Sequence, residues 1–291
     1  MKQLYYSRKG SNSVNNPLYE ATLSNYEWSA YDEIIDNLSV NWYLNDYLTV
    51  KGQFSVTKQY TSSERFYDPL SSKVSVYGTT DTKLQGDLFT GEGSSLSWNS
   101  NAFLYYTRSF GNHNFNFSGG WEASAYNTEN TSAQYRGFPS GQFNSLNYAS
   151  EIYKKPTLTE NTTRRVSILA TLNYTWNDIY LADASVRFDG SSEFGANQKW
   201  APFFSGGLGV NIHNYDFLKG NEKINKLKVR ASYGRTGKVN FPAYAATTMY
   251  ETLFDEWYIT GYGAVLKALG NKDLSWEKTD KFNFGIETQF F

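Results

Sequence analysis

Cysteine is absent, which removes disulfide frameworks, thiolate metal sites and thiol nucleophiles together. Histidine is nearly so: His113 and His213 each sit at a strand end, with no second histidine or acidic companion at ligand spacing, and read as solvated turn residues. No apolar run approaches the ~20 residues a membrane helix needs. The opening Met1–Ser7 lacks the apolar core and small-residue cleavage site of a signal peptide. Neither sign of charge dominates: 27 Lys and Arg stand against 28 Asp and Glu, a net charge of −1. A groove that tracks phosphates needs a basic excess, so nucleic acid is not an expected partner. The mean hydropathy of −0.57 argues against helical membrane proteins but not against a β-barrel, where only every second strand residue meets lipid.

What the chain has in quantity is aromatic side chains, 18% of all residues, with 24 Tyr, 20 Phe and 8 Trp. Tyr and Trp join an apolar body to a polar tip and suit a surface between grease and water. Composition alone leaves a soluble β-sandwich with an aromatic core equally open.

Pattern moves the choice. From Arg165 to Gly195, Val166, Ile168, Ala170, Leu172, Tyr174 and Trp176 alternate with Arg165, Ser167, Thr171, Asn173 and Thr175, Leu169 being the one apolar intruder on the polar side. After Asn177-Asp178 the alternation resumes with Tyr180, Ala182, Ala184, Val186 and Phe188. A period of two on either side of a turn-forming pair predicts a long antiparallel hairpin with one apolar and one wet face. The same pattern recurs over 37–44 and 48–56 about Asn45-Asp46, over 96–106 and 115–125 about Gly111-Asn112, and over 204–212, 227–233 and 282–290. A weaker strand is expected before Tyr31.

Short turns alternate with three polar insertions of roughly 30 to 40 residues, ending near Ser94, Thr163 and Trp276, where compact domains favour ~4–6. Aromatics gather beside the short turns: Trp42, Tyr43 and Tyr47; Tyr105 and Tyr106; Trp176 and Tyr180. Tight turns on one side, long loops on the other and an aromatic girdle are how an outer-membrane barrel is strung. In hydrocarbon every backbone N–H and C=O needs a protein partner, so strands persist there only in a closed sheet. The expected fold is therefore all-β, an antiparallel transmembrane β-barrel with long extracellular loops. It is partial, about nine or ten strands of a larger barrel.

Several segments then resemble one family. Arg187-Phe-Asp189-Gly190-Ser191-Ser192-Glu-Phe194-Gly195 is similar to the R-x-D-G-S-S-x-F-G signature of the SusC/RagA family of TonB-dependent outer-membrane transporters. The segment 227–237, with Arg230, Gly234, Thr236 and Gly237, resembles its L-K-x-R-A-S-x-G-x-T-G strand, although Lys238 stands where Asn is usual. Leu274-Ser-Trp276-Glu277-Lys-Thr followed by Asn283-Phe-Gly285 resembles L-x-W-E-K-T…N-x-G, and Asn16-Pro-Leu-Tyr-Glu20 an upstream stretch. The matches keep the family order along nearly the whole chain.

The resemblance implies a 22-stranded barrel of a Gram-negative outer membrane, an internal plug carrying a TonB-contacting segment, and a SusD-like lipoprotein lid. It implies import of a nutrient oligomer, a glycan more than a peptide. On this reading residues 1–291 are part of the barrel alone; plug, TonB segment and signal peptide are absent, and no cofactor is implied.

No catalytic constellation stands out. Gly234–Lys238 lacks the spacing of a phosphate loop, which needs four residues between its glycines and a Ser or Thr after the Lys. Ser191 and Ser192 have no nearby histidine to act as base, and adjacent Asp255-Glu256 point opposite ways on a strand. The aromatic-rich insertion before Trp276, with Tyr250, Trp257, Tyr258 and Tyr262, is a candidate surface for ligand or lid. Two rival classes remain at this stage: a plug-less porin or adhesin, and a secreted carbohydrate-binding β-sandwich.

Overall fold

The computed structural model describes residues 5–7, 13–74, 82–220, 223–239, 241–259 and 261–290; the side chains of 5–7, 13–15, 82 and 254–257 lie outside that description. The reading of Met1–Leu4 as lacking a leader, and that of the Asp255 and Glu256 side chains, therefore fall outside the described residues.

The elements are β1 (Tyr5–Ser7), β2 (Ser13–Asn15), the short helix α1 (Pro17–Glu20), β3 (Tyr26–Asn45), β4 (Leu48–Tyr67), β5 (Asp87–Phe110) and β6 (His113–Arg136). They continue as β7 (Glu151–Trp176), β8 (Tyr180–Ser191), β9 (Trp200–Asn211), β10 (Ile224–Lys238), β11 (Met249–Tyr258), β12 (Gly261–Ala268) and β13 (Glu277–Phe290). Nine strands form one sheet in the order β13-β10-β9-β8-β7-β6-β5-β4-β3, while β1-β2 and β11-β12 are separate two-stranded sheets. Among the described residues β3 and β13 each have one neighbour in the large sheet, which is all-β and unclosed. The expected weak first strand and the run from Asn37 are one continuous strand, β3.

Register explains why the alternation is functional. From β7 through β13 the strands pair antiparallel, and directly opposed residues share a face. Ile168 opposes Phe188, Leu172 opposes Ala184, Ala182 opposes Leu208, Leu208 opposes Ala231 and Ala231 opposes Phe284. On the other face Ser167 opposes Asp189, Ser185 opposes Ser205, Ser232 opposes Gly207 and Asn283. A one-residue slip anywhere would exchange the faces of a whole strand. No such slip occurs within these apolar stretches, so one apolar and one polar surface run unbroken across five strands.

The turns are built as their residues demand. Asn177 and Asp178 take consecutive positive φ, 54° and 57°, a geometry these two side chains tolerate better than most. Gly111 has φ 56°.

The expected insertions are shorter than their polarity suggested. β5 and β6 have 24 residues each and β7 has 26, whereas a tilted strand crosses hydrocarbon in ~9–11. The halves away from the short turns are polar on both faces and so read as loop. The true connections are 68–86 and 137–150, and only the stretch between β10 and β13 stays long, enclosing the β11-β12 hairpin.

The chain divides into two compact units. One comprises residues 1–35, 57–96 and 127–161. Its core is Phe66, Leu88 and Phe138, with Tyr26 stacked on Phe66. Asn16 caps α1 through Leu18 and Tyr19 N–H, Pro17 occupies the first helical turn, and Glu20 ties the helix to the loop after β4. The Glu20 carboxylate accepts from Ser71 Oγ (2.7 Å), Ser72 N (2.8 Å), Ser72 Oγ (2.6 Å) and Asn25 Nδ2 (3.1 Å). The other unit comprises 36–56, 97–126 and 162–291 and holds the aromatic contacts, charged cluster and signature residues described next.

Candidate functional site

An aromatic belt follows the short turns. Tyr47 meets Tyr106 edge-on, Phe110 meets Phe115, and Phe115 meets Tyr174 at 4.9 Å. His113 stacks on Trp176, Trp176 on Tyr180, and the Tyr215 hydroxyl donates to the Tyr180 hydroxyl at 2.9 Å. Arg108 lies over Tyr47 and Phe110. His113, read as a solvated turn residue, is a belt member: its Nδ1 is 2.7 Å from the Tyr174 hydroxyl. His213 Nδ1 lies 3.1 Å from Leu227 O and so fastens the β9–β10 turn to β10. Such belts sit where Tyr, Trp and Arg can keep a polar end in water and a ring in lipid.

On the polar face the signature residues form a charged cluster. Arg187 reaches Asp189 Oδ1 (2.6 Å), Glu122 Oε2 (3.0 Å) and Ser167 Oγ (2.9 Å), tying β6, β7 and β8 together. With Gln53, Asn99, Asn101, Ser124 and Arg165 it lines a cavity of about 510 Å³. Arg230 is further along, bound to Glu287, which also holds Lys226 at 2.8 Å.

The rest of the signature fixes the turn leaving β8. Gly190 opposes Trp200, whose ring lies where a Cβ would stand, at 2.8 Å. Ser191 Oγ donates to Glu193 Oε2, Arg165 binds that oxygen at 2.8 Å, and Ser192 exchanges backbone and hydroxyl bonds with Arg164. Phe194, 2% exposed, stacks on Trp276 at 4.3 Å and meets Phe241 edge-on, while Phe203 abuts Trp276 at 5.4 Å. Gly195 N donates to Leu274 O, and a Cβ on Gly195 would lie 2.0 Å from Lys272 O. A Cβ on Gly237 would strike the Phe203 ring, and one on Gly234 would press on Ser205. Thr236 opposes Thr279 and Lys238 opposes Glu277. Three segments distant in sequence thus converge on one aromatic lock.

Glu193, Glu122, Ser167, Phe203 and Phe241 had no part in the sequence reading of this lock. Glu193 occupied the variable position of the signature. Glu122 and Phe203 sit on strands whose partners sequence alone does not show, Phe241 lies in the loop after β10, and Ser167 lies on the expected β7–β8 hairpin with nothing in the alternation to mark its contact with Arg187.

The candidate ligand loop stands apart from this cluster. Tyr250 opposes Leu266 and Tyr258 opposes Gly261 in the β11-β12 hairpin; Tyr250, Tyr258 and Tyr262 are 69%, 70% and 62% exposed. The Trp257 side chain lies outside the described residues. Tyr244, at φ 65°, accepts from Thr162 N through its hydroxyl and so anchors the insertion to β7.

A two-faced antiparallel sheet with an aromatic belt along its short turns is the build of a β-barrel wall. The family described as TonB dependent receptor-like, beta-barrel matches residues 2–291, and the chain belongs to it. It is a homologue of TonB-dependent receptor SusC of Bacteroides thetaiotaomicron, 28% identical over 96% of this chain and 27% of that protein. It is 30% identical to TonB-dependent receptor P3 of Formosa agariphila over 65% of this chain and 19% of that protein. In fold it is similar to the RagAB peptide transporter, with TM-score 0.86 and 24% identity, covering 100% of this chain and 31% of that one. The chain thus spans less than a third of the length of each of these relatives.

Proposed function

We propose that residues 1–291 form part of the barrel wall of a SusC-type, TonB-dependent transporter in a Gram-negative outer membrane, importing a nutrient oligomer under a SusD-like lipoprotein lid. The observation that supports this reading is the unbroken pair of faces, one apolar and one polar, across β7–β10 and β13 in a chain of this family; in a barrel wall the apolar face would meet lipid and the polar face a hydrated interior. Plug and TonB-contacting segment would come from sequence beyond these residues. The signature residues act as structure: they lock the turn after β8 to the approach of β13 and so set the rim of the barrel.

A glycan is the favoured substrate, because the exposed rings of Tyr250, Tyr258 and Tyr262 suit stacking on sugar faces. The second reading is a peptide, supported by the likeness to RagAB, described as a peptide transporter. Uptake of labelled oligosaccharides and of labelled peptides by cells lacking the gene decides between them. Replacing Trp257 and Tyr258 by Ala in the intact protein is expected to weaken oligosaccharide binding and uptake. Unchanged affinity and uptake would leave those rings a packing role.

A further inference from the structure

The apolar face is not uniform. Ala182 and Ala184 on β8, Gly206 on β9 and Ala231 on β10 make a low floor, with Leu208 rising between Ala182 and Ala231 and Leu172, Phe204, Tyr233 and Phe282 around it. Together they bound a slot of about 790 Å³, within the ~300–1,000 Å³ of ligand pockets. Asp183, Ser205 and Ser232 border the slot only through the backbone, since by register their side chains belong to the other face.

Both ends of the slot are marked. At one end Phe115 and Tyr174 carry it into the aromatic belt, beside the His113 and Tyr180 contacts. At the other, Arg235 holds Asp280 with two bonds, 2.7 and 2.9 Å, and its guanidinium sits 5.9 Å above the Phe204 ring. An apolar trough between a belt and an ion pair has the polarity profile of a membrane lipid.

We propose that this slot seats one acyl chain of a phospholipid from the leaflet on the short-turn side, its headgroup at the level of the belt; this rests on the outer-membrane reading above. A peptide or sugar would enter a lining with no side-chain donor or acceptor along its floor and leave its own polar groups unpaired. A hydrocarbon chain loses nothing there and fills space that flat packing of neighbouring lipids leaves void. The entry is at the belt, because the far end is capped by Arg235 and Asp280.

The test uses the intact protein purified from outer membranes, delipidated in mild detergent and returned to phosphatidylethanolamine. Native mass spectrometry is expected to show one retained phosphatidylethanolamine at low lipid ratio. Ala184→Phe, which fills the floor, should lower that occupancy roughly tenfold, whereas Leu38→Phe on β3, on the same face but away from the slot, should leave it unchanged. Should Ala184→Phe fail to assemble, Ala231→Leu supplies the same comparison. Equal retention by filled and native slots overturns the proposal, as does disulfide capture of a second copy through Ala182→Cys. Absence of the native protein from the outer-membrane fraction would be a failure of the membrane reading, seen before any lipid is added.

Discussion

Phe194 and Trp276 lie face to face, ring centroids 4.3 Å apart and 28° from parallel, although 82 positions separate them in the chain. One leaves β8 and the other enters β13, strands that are not neighbours in the sheet. Their contact is what closes the turn and the long insertion onto each other. The Trp276 indole N–H is buried and has no hydrogen-bond partner among the described residues. Its value to the fold is therefore its ring. Trp276→Ala is expected to cost about 2–3 kcal/mol, below the ~3–5 of a fully buried aromatic, and Trp276→Phe much less. Unfolding midpoints of the intact protein in detergent compare the two.

Gly195 is required for space rather than for an unusual φ. A Cβ there meets Lys272 O at 2.0 Å and its carbonyl carbon at 2.2 Å, both backbone atoms that cannot swing aside. Gly195→Ala is expected to cost ~1–3 kcal/mol through overpacking and to expose residues 192–199 and 270–276 to protease. Cleavage rates equal to the native protein's would mean the two segments have no need of this close approach.

The latch on α1 is expected to respond to pH. Burial alone would raise the Glu20 carboxyl, but hydrogen bonds from Ser72, Ser71 and Asn25 outweigh it and hold its pKa below the ordinary 4.5. A lowered folded pKa contributes stability that is full above the unfolded value and is lost as pH falls through the folded one. Protection of residues 68–74 against hydrogen exchange, relative to the intrinsic rate at each pH, is therefore expected to fall below about pH 4.5 in the native protein. In Glu20→Gln that protection should already be low at neutral pH and unchanged across the same window.

The two faces of β7 predict opposite responses to charge. Ile168→Arg puts a cation on the apolar face and is expected to cost ~2–4 kcal/mol if that level is mid-membrane. Asn173→Arg on the polar face, exposed and opposite Asp183, should be tolerated within about 0.5 kcal/mol. Yield of folded protein in the outer membrane, read by heat-modifiable gel mobility, separates them.

How much was legible in the sequence follows from which environment each strand half meets. Where one face is apolar and the other wet, as in Val166–Trp176 and Tyr180–Phe188, alternation showed strand, face and turn. Thr57–Tyr67 and Glu151–Arg164 are equally regular but polar on both sides, so nothing in their side-chain pattern marks them as sheet. The small core of Phe66, Leu88 and Phe138 was invisible for a related reason: Phe66-Tyr67, Leu88-Phe89 and Phe138 are apolar stretches too short to show a period. The signature residues were legible as a motif but their purpose was not. Arg187 needs Glu122 from β6 and Ser167 from β7, and Phe194 needs Trp276, partners that only the strand order brings near.

The measurement that bears most directly on the barrel-wall reading is a cysteine scan of β7, residues 1–291 having no cysteine of their own. Single cysteines from Val166 to Trp176 in the intact protein, spin-labelled in outer membranes, report contact with oxygen in lipid and with a water-soluble relaxer. Alternation with a period of two is expected: oxygen contact at 166, 168, 170, 172 and 174, aqueous contact or burial at 167, 171, 173 and 175. Aqueous contact at every position, or no alternation, would contradict a membrane-spanning wall and leave this sheet a soluble one.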